Sequence, residues 1–275
     1  MNLFCKPDDP IISLLHQELN ANISRIPDGR LAPLGVLELL PSNSTKYRTT
    51  LPNILARPTD LDVNDSYFQT RPMASISGEK TTNTEASFGL KILQGFLQGF
   101  DASLPNLGMY FKDATKVSFS FENVKITWID NGLLGEALID QSIDLRNPMT
   151  AGFFTTPASK LLCIDAVITS SNFTFNVEES THDNFAINLE ALKKELGQAE
   201  TKLEAIESGK RTVRFKGKQP LPFAFTCLWL QLNPEGRILA MPVHEREVRS
   251  VFGTGPKQDL PKYQISPELA LINLD

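Results

Sequence analysis

The chain has 275 residues, 41% of them hydrophobic and 21% charged, with a formal net charge of −5 at pH 7. That is the composition of an ordinary globular protein with enough chain for a sizeable core, and it argues against nucleic acid as the main partner. No window approaches the roughly 18 consecutive apolar residues of a membrane helix, so contact with a bilayer would require strands or an anchor.

A lone thiol, Cys5, stands near the start between Phe4 and Lys6. It reads either as an unmodified surface cysteine or as an acceptor for an acyl chain. Asp8 or Asp9 can cap a short helix with Pro10 in its first turn, and Ile11, Leu14, Leu15 and Leu19 then share one face. The two aspartates interrupt any apolar leader, so no signal peptide is expected, and the sequons at Asn22, Asn43, Asn64 and Asn172 are expected to be unused. Cysteines at 5, 163 and 227 form no close pair, which points to a reducing compartment.

Residues 41–72 are Pro-rich and polar and read as loops with short strands. Leu90, Leu93, Phe96, Leu97 and Phe100 then line one side of a helix on which Gly95 and Gly99 permit close approach. Residues 86–92 also alternate through Phe88, Leu90 and Ile92, a second period that fits a strand. Across 115–129, Val117, Phe119 and Phe121 alternate with polar residues as in a half-buried strand. Two further runs behave alike: Phe173, Phe175 and Val177 in residues 171–179, and Phe185, Ile187 and Leu189 in residues 184–191. The polar turn between them makes a hairpin whose arms nearly match the 9–11 residues of a membrane-spanning strand.

From Leu192 the period changes: Leu192, Leu196, Ala199, Leu203 and Ile206 predict an amphipathic helix ending at Gly209. Arg214, Lys216 and Lys218 then share one face of a strand whose other face carries Val213 and Phe215. With Lys210 and Arg211 these cations suit either anionic head groups or the protection of a sheet edge. Residues 221–232 read as a buried strand. An exposed, Gly- and Pro-marked connection follows, and Ser266, Pro267 and Glu268 signal a helix start before an apolar finish of Leu269, Leu271, Ile272 and Leu274. Such a tail is expected to dock on the body, contributing about 6–10 kcal/mol before ordering costs.

No catalytic signature accompanies these elements. There is no G-x-S-x-G, Gly209 to Thr212 lacks the first glycine of a phosphate loop, and His244 with Glu245 lacks the second histidine of a zinc protease. A non-enzymatic protein is expected, with no metal and no cofactor beyond a covalent group.

Several of these segments, taken together, resemble the bacterial gasdermins. The early cysteine precedes a short helix and then Arg25, Pro27, Leu31, Pro33 and Leu34 in the spacing of that family's R-x-P-x-x-x-(I/L)-x-P-L run. The stretches 86–93, 114–124, 166–173 and 215–225 follow in the family's order, covering roughly residues 1–245. The resemblance implies an α+β fold: a twisted, mainly antiparallel sheet decorated by helices and closed by a short C-terminal inhibitory tail. It implies a pore-forming domain over 1–245, a cleavable loop over 246–257 with Arg246, Arg249 and Phe252 as candidate cut positions, and an autoinhibitory tail over 258–275. Palmitoylation of Cys5 is expected, and an activating protease of caspase-like or subtilisin-like kind is the implied partner. The resting protein is expected to be a cytoplasmic monomer. Once cut, it is expected to oligomerise and insert its hairpins into the inner membrane lipid, killing the cell in antiphage defence. The alternative is a soluble α+β binding protein whose C-terminal helix is structural.

Overall fold

A computed structural model describes residues 21–42, 44–57, 67–81, 86–100, 107–147, 150, 159–181, 187–188, 190–191, 194, 203–208, 211–239, 263, 265, 272 and 274. The frame is two long strands, β8 (Lys160–Ser180) and β10 (Thr212–Leu230), paired antiparallel over most of their length. Both are rich in β-branched and aromatic residues, the types that pack well on a pleated surface. Beside β10 lies β1 (Asn22–Ile23), and beyond β8 lie β2 (Gly35–Leu39) and β3 (Thr45–Thr50), giving a path β1-β10-β8-β2-β3.

The far edge of β8 changes partner along its length. After β2 it receives β7 (Lys125–Ile129), and then β6 (Ala114–Glu122). Outside these, β4 (Phe68–Pro72) pairs with β7, β5 (Ile76–Thr81) with β6, and β9 (Leu203–Ser208) with β10, completing one mainly antiparallel ten-stranded sheet. A bulge sits at the partner switch: Thr226 faces Ala166 and Cys227 faces Ile164, leaving Asp165 as the extra residue. Its carboxyl group is buried and accepts a hydrogen bond from Thr226 Oγ1 at 2.6 Å, which offsets part of the cost of burying a polar group there.

Among the described residues, one long helix covers the sheet. Helix α1 (Ala86–Gly99) lays Ile92, Leu93, Phe96 and Leu97 onto β6, β8 and β10. The rings beneath it interlock: Phe96 lies 5.0 Å from Phe173, and Phe121 stacks on Phe223 at 4.0 Å. Helix α1 is followed by a single turn, α2 (Leu107–Tyr110), and after β7 by α3 (Asn131–Ala137), whose Asp130 cap accepts from Gly132 N and Leu133 N. A second apolar cluster gathers Val36, Leu51, Ile54, Ile129, Leu134, Leu161 and Leu228. A third comprises Leu37, Leu39, Leu162, Ile164, Phe225 and Cys227, with Ile265 and Ile272 from the far end of the chain.

Four local expectations change. The run 115–129 is two strands, β6 and β7, because the chain turns at Asn123, which takes a positive φ of 53°. Residues 203–208 form strand β9, not the end of a helix: Ile206 faces Phe215 and Ser208 faces Val213, so hydrogen bonds to the β10 edge outweigh the helical spacing of Leu203 and Ile206. The second arm of the hairpin is not extended where described, because Glu190 and Ala191 are helical and Ala191 N donates to the Asn188 side chain at 3.1 Å. The chain end is not helical at Ile272 and Leu274, both of which lie in parallel bridges.

Gly217 shows how closely α1 sits on the sheet: a Cβ there would lie 1.9 Å from Cε1 of Phe100. Gly217→Ala is expected to lower stability by about 1–3 kcal/mol through overpacking. Gly135→Ala, on the open face of α3 with nothing within 4 Å, is expected to be neutral or to stabilise by up to about 1 kcal/mol. Thermal or denaturant unfolding of the two variants checks the contrast.

Candidate functional site

The sequence gives β1 two residues, too short to hold an edge alone, and the structure completes that edge with the C-terminal segment. Ile272 N donates to Ile23 O at 2.8 Å, and Arg25 N donates to Ile272 O at 2.8 Å, a parallel bridge centred on Ser24. Two residues on, Leu274 bridges Thr45 of β3, again in parallel. Since β1 and β3 are the two ends of the path β1-β10-β8-β2-β3, one segment is stitched to both free edges and closes the path on itself. Ile272 is buried, as is Ile265, and both pack on the third cluster, which forms the floor of the slot.

Asn22 holds the segment further upstream. Its carboxamide presents a donor and an acceptor much as a peptide group does: Nδ2 donates to Tyr263 O at 3.1 Å, and Oδ1 accepts from Ile265 N at 2.9 Å. Tyr263 N donates to Cys227 O at 2.7 Å, and the Cys227 thiol lies 3.3 Å from Tyr263 O. Burial pushes the Cys227 thiol well above its ordinary pKa, with the nearby Asp165 carboxylate adding to the effect, so it stays protonated and unreactive while covered. The Tyr263 side chain is fixed separately. Lys160 Nζ sits 4.9 Å from the Trp229 ring centre and 4.8 Å from that of Tyr263, and it donates to Tyr263 Oη at 2.6 Å. A cation between two aromatic faces contributes about 0.5–2 kcal/mol, depending on its exposure.

Beyond Ser24, the stretch that receives Ile272 is pressed from its other side by α1. A Cβ on Gly95 would lie 1.9 Å from Arg25 O, and one on Gly99 would lie 2.8 Å from Pro27 O. The two glycines are four residues apart, on one helix face, and let the backbones touch. Residues 24–27 are therefore held between the chain end and the helix that covers the aromatic core. An apolar crevice lined by Ile23, Pro27, Ile92, Phe96, Phe121 and Phe223 opens at this contact.

Of the residues singled out in the sequence, Phe173, Phe175, Val177, Ile92 and Ile187 all lie buried in the aromatic cluster under α1. Phe88 and Leu90 lie on α1 itself. Ile272 and Leu274 lie in the slot. Cys5, Phe185, Leu189, Lys210, Arg246, Arg249, Phe252, Leu269 and Leu271 lie outside the described residues or outside what is described of their side chains. Arg214 is exposed and pairs with Glu122 at 3.4 Å, and Arg211 donates to Glu178 O at 3.3 Å. Asn22, Lys160, Cys227, Trp229 and Tyr263 were not predicted. Asn22 reads in the sequence only as an unused sequon, and the rest carry no local signal. Among the described residues no group of three or more His, Cys, Asp or Glu could hold a metal ion, and no described helix is long and apolar enough to cross a membrane.

Because Cys227 is covered in part by the chain end, its reactivity reports the seat. Ile272→Asp places a charge on the apolar floor and is expected to speed thiol labelling at Cys227 by about tenfold or more. Cys163 belongs to the second cluster and is expected to stay silent. Peptide mapping after timed alkylation distinguishes the two positions, and equal protection of Cys227 in both proteins would refute the assignment.

Comparison with known proteins places the fold in one family. The family model described as the Bacterial Gasdermin Family matches residues 24–237. A protein named gasdermin bGSDM from Vitiosangium sp. is 28% identical over 219 residues, covering 80% of each chain. Another of the same name, from Lysobacter enzymogenes, is 21% identical over 239 residues, covering 86% of this chain and 84% of the relative. The solved structure of a bacterial gasdermin from Bradyrhizobium tropiciagri matches with a TM-score of 0.64 at 14% identity over 99% of both chains, which establishes a shared fold. With a family match that runs through most of its length, the chain belongs to the bacterial gasdermins, a family of pore-forming cell-death proteins.

Proposed function

We propose that this protein is an autoinhibited pore former that is switched on when a protease removes its C-terminal segment. The observation that carries the reading is the seat of that segment on both free edges of the strand path. A sheet whose edges are satisfied by a removable piece of chain is shut until the piece departs. Hydrolysis between Glu245 and Lys257, after Arg246, Arg249 or Phe252, severs the connection and leaves the segment held by non-covalent contacts alone. An arginine cut suits a trypsin-like caspase relative, and Phe252 suits a subtilisin-like enzyme.

Membrane entry follows from what lies under α1. Strands β5 and β6 pair antiparallel and are joined through α1, and β8 is joined to β9 and β10 through residues 181–202. Extension of both connections into strands turns Phe88, Leu90, Ile92, Phe173, Phe175, Val177, Phe185, Ile187 and Leu189 toward lipid. A single hairpin leaves backbone groups unpaired in hydrocarbon, so insertion and assembly of many copies are coupled. Cys5 receives a palmitoyl group from an activated acyl thioester, thiol exchanging for thiol. Its chain contributes about 10 kcal/mol at roughly 0.8 kcal/mol per buried CH₂. In the cell, the resting monomer is cytoplasmic, the cut form is a large oligomer in the inner membrane, and the outcome is death of an infected bacterium.

Leakage of a dye from anionic vesicles tests the reading. The intact protein is expected to release little, and protein nicked once within residues 245–257 is expected to release most of the dye. Release in neither state would favour the soluble binding protein. An unmodified N-terminal peptide in protein from the native host would remove the acyl group from the account while leaving the pore.

A further inference from the structure

We propose that the slot holding the C-terminal segment is also the contact between copies in the assembly, with the β1 edge of one copy pairing in parallel with the β3 edge of the next. The inference rests on release of that segment. It adds which surfaces meet and in what sense.

Strand direction supplies the argument. Along the path β1-β10-β8-β2-β3 every neighbour is antiparallel, so four reversals leave β1 and β3 pointing the same way. The segment between them runs parallel to both. Its departure removes Ile272 from Ile23 O and Arg25 N on one edge and Leu274 from Thr45 on the β3 edge. The floor of the slot, with Leu37, Leu162 and Phe225, loses its cover. Unpaired edges of this kind recruit another chain.

Rotation about an axis along the strands keeps their sense, so such a rotation brings β1 of one copy beside β3 of the next in parallel. That is a heterologous contact, the kind that closes rings. Pairing two β1 edges about a twofold would make them antiparallel, a sense this edge does not use in the resting protein. Closure within one copy is opposed by the floor. Strands that flank a third are about 9–10 Å apart, and drawing them together would compress Phe225, Leu37 and Leu162 into less space. The bridges also give a register. Ser24 is level with Ile272 and Thr45 with Leu274, so Arg25 and Ser44 stand level across the slot.

Two single variants of the full chain, Arg25→Cys and Ser44→Cys, test this once their thermal unfolding matches the parent. After cutting on anionic vesicles under mild oxidation, an equimolar mixture is expected to give a disulfide-linked pair joining positions 25 and 44, identified by its peptide. Its yield is expected to be at least tenfold above that of either variant alone or of the uncut mixture. The double variant is expected to give a ladder of linked copies. Absence of the 25–44 link while leakage proceeds would overturn the contact and leave the pore reading standing. A link confined within single copies of the double variant would overturn it in favour of self-closure. If cutting produces no leakage, the underlying reading fails and the contact fails with it.

Discussion

Backbone amide and carbonyl groups at the end of a sheet must find partners, and in this molecule one short segment supplies them at two ends at once. Strands β1 and β3 lie at opposite limits of the same path, yet Ile272 and Leu274, two residues apart, reach one each. That is possible because the strand path curls until its limits lie one strand apart, with Leu37, Leu162 and Phe225 filling the enclosed space. Side-chain anchors then fix the segment in place: the Asn22 amide reads the backbone at 263 and 265, and Lys160 locks the Tyr263 ring against Trp229. The apolar contribution of Ile265 and Ile272, about 1.5–3 kcal/mol each, is offset by the entropy of ordering the chain that carries them. A closure built this way holds firmly without being beyond reversal.

The aromatic core is tied to that closure through few residues. Phe96, Phe121, Phe173 and Phe223 interlock beneath α1, and the glycines of α1 rest directly on the stretch that receives Ile272. Packed interiors have discrete arrangements and do not yield smoothly, so a shift in that stretch reaches the helix as a change of contact between whole backbones. At the outer end of the seat, the buried Thr45 hydroxyl has no hydrogen-bond partner among the described residues.

Much of the frame was legible from alternation alone. Val117, Phe119 and Phe121, the pattern of Phe173, Phe175 and Val177, and the opposition of Val213 and Phe215 to Arg214 and Lys216 all appear as written, because one face of each strand is buried and the period of two leaves little choice. The stripe through Leu93, Phe96, Leu97 and Phe100 likewise marks α1 and its end. Where the reading failed, hydrogen-bond supply decided against periodicity. Leu203 and Ile206 fit a helix by spacing, but β10 offers an open edge beside them and β9 forms there. Ile272 and Leu274 are extended because two unsatisfied edges await them. The seat itself was illegible for a different reason: Asn22, Lys160, Cys227 and Tyr263 are separated by up to 241 residues, and no local pattern records that they meet.

The double attachment has a thermodynamic corollary. While the connection is intact, the segment is always beside its slot, so a transient departure ends in rapid return. Were it severed, the same fragment would depart into the whole surrounding volume, where its local abundance would fall from the millimolar regime of a short tether to almost nothing. No contact need be weakened for the balance to tip. Dilution would make such a departure one-way, and the dwell time of the freed peptide, set largely by the Lys160 clamp and the Asn22 amide, would fix the interval between a cut and the opening of the slot.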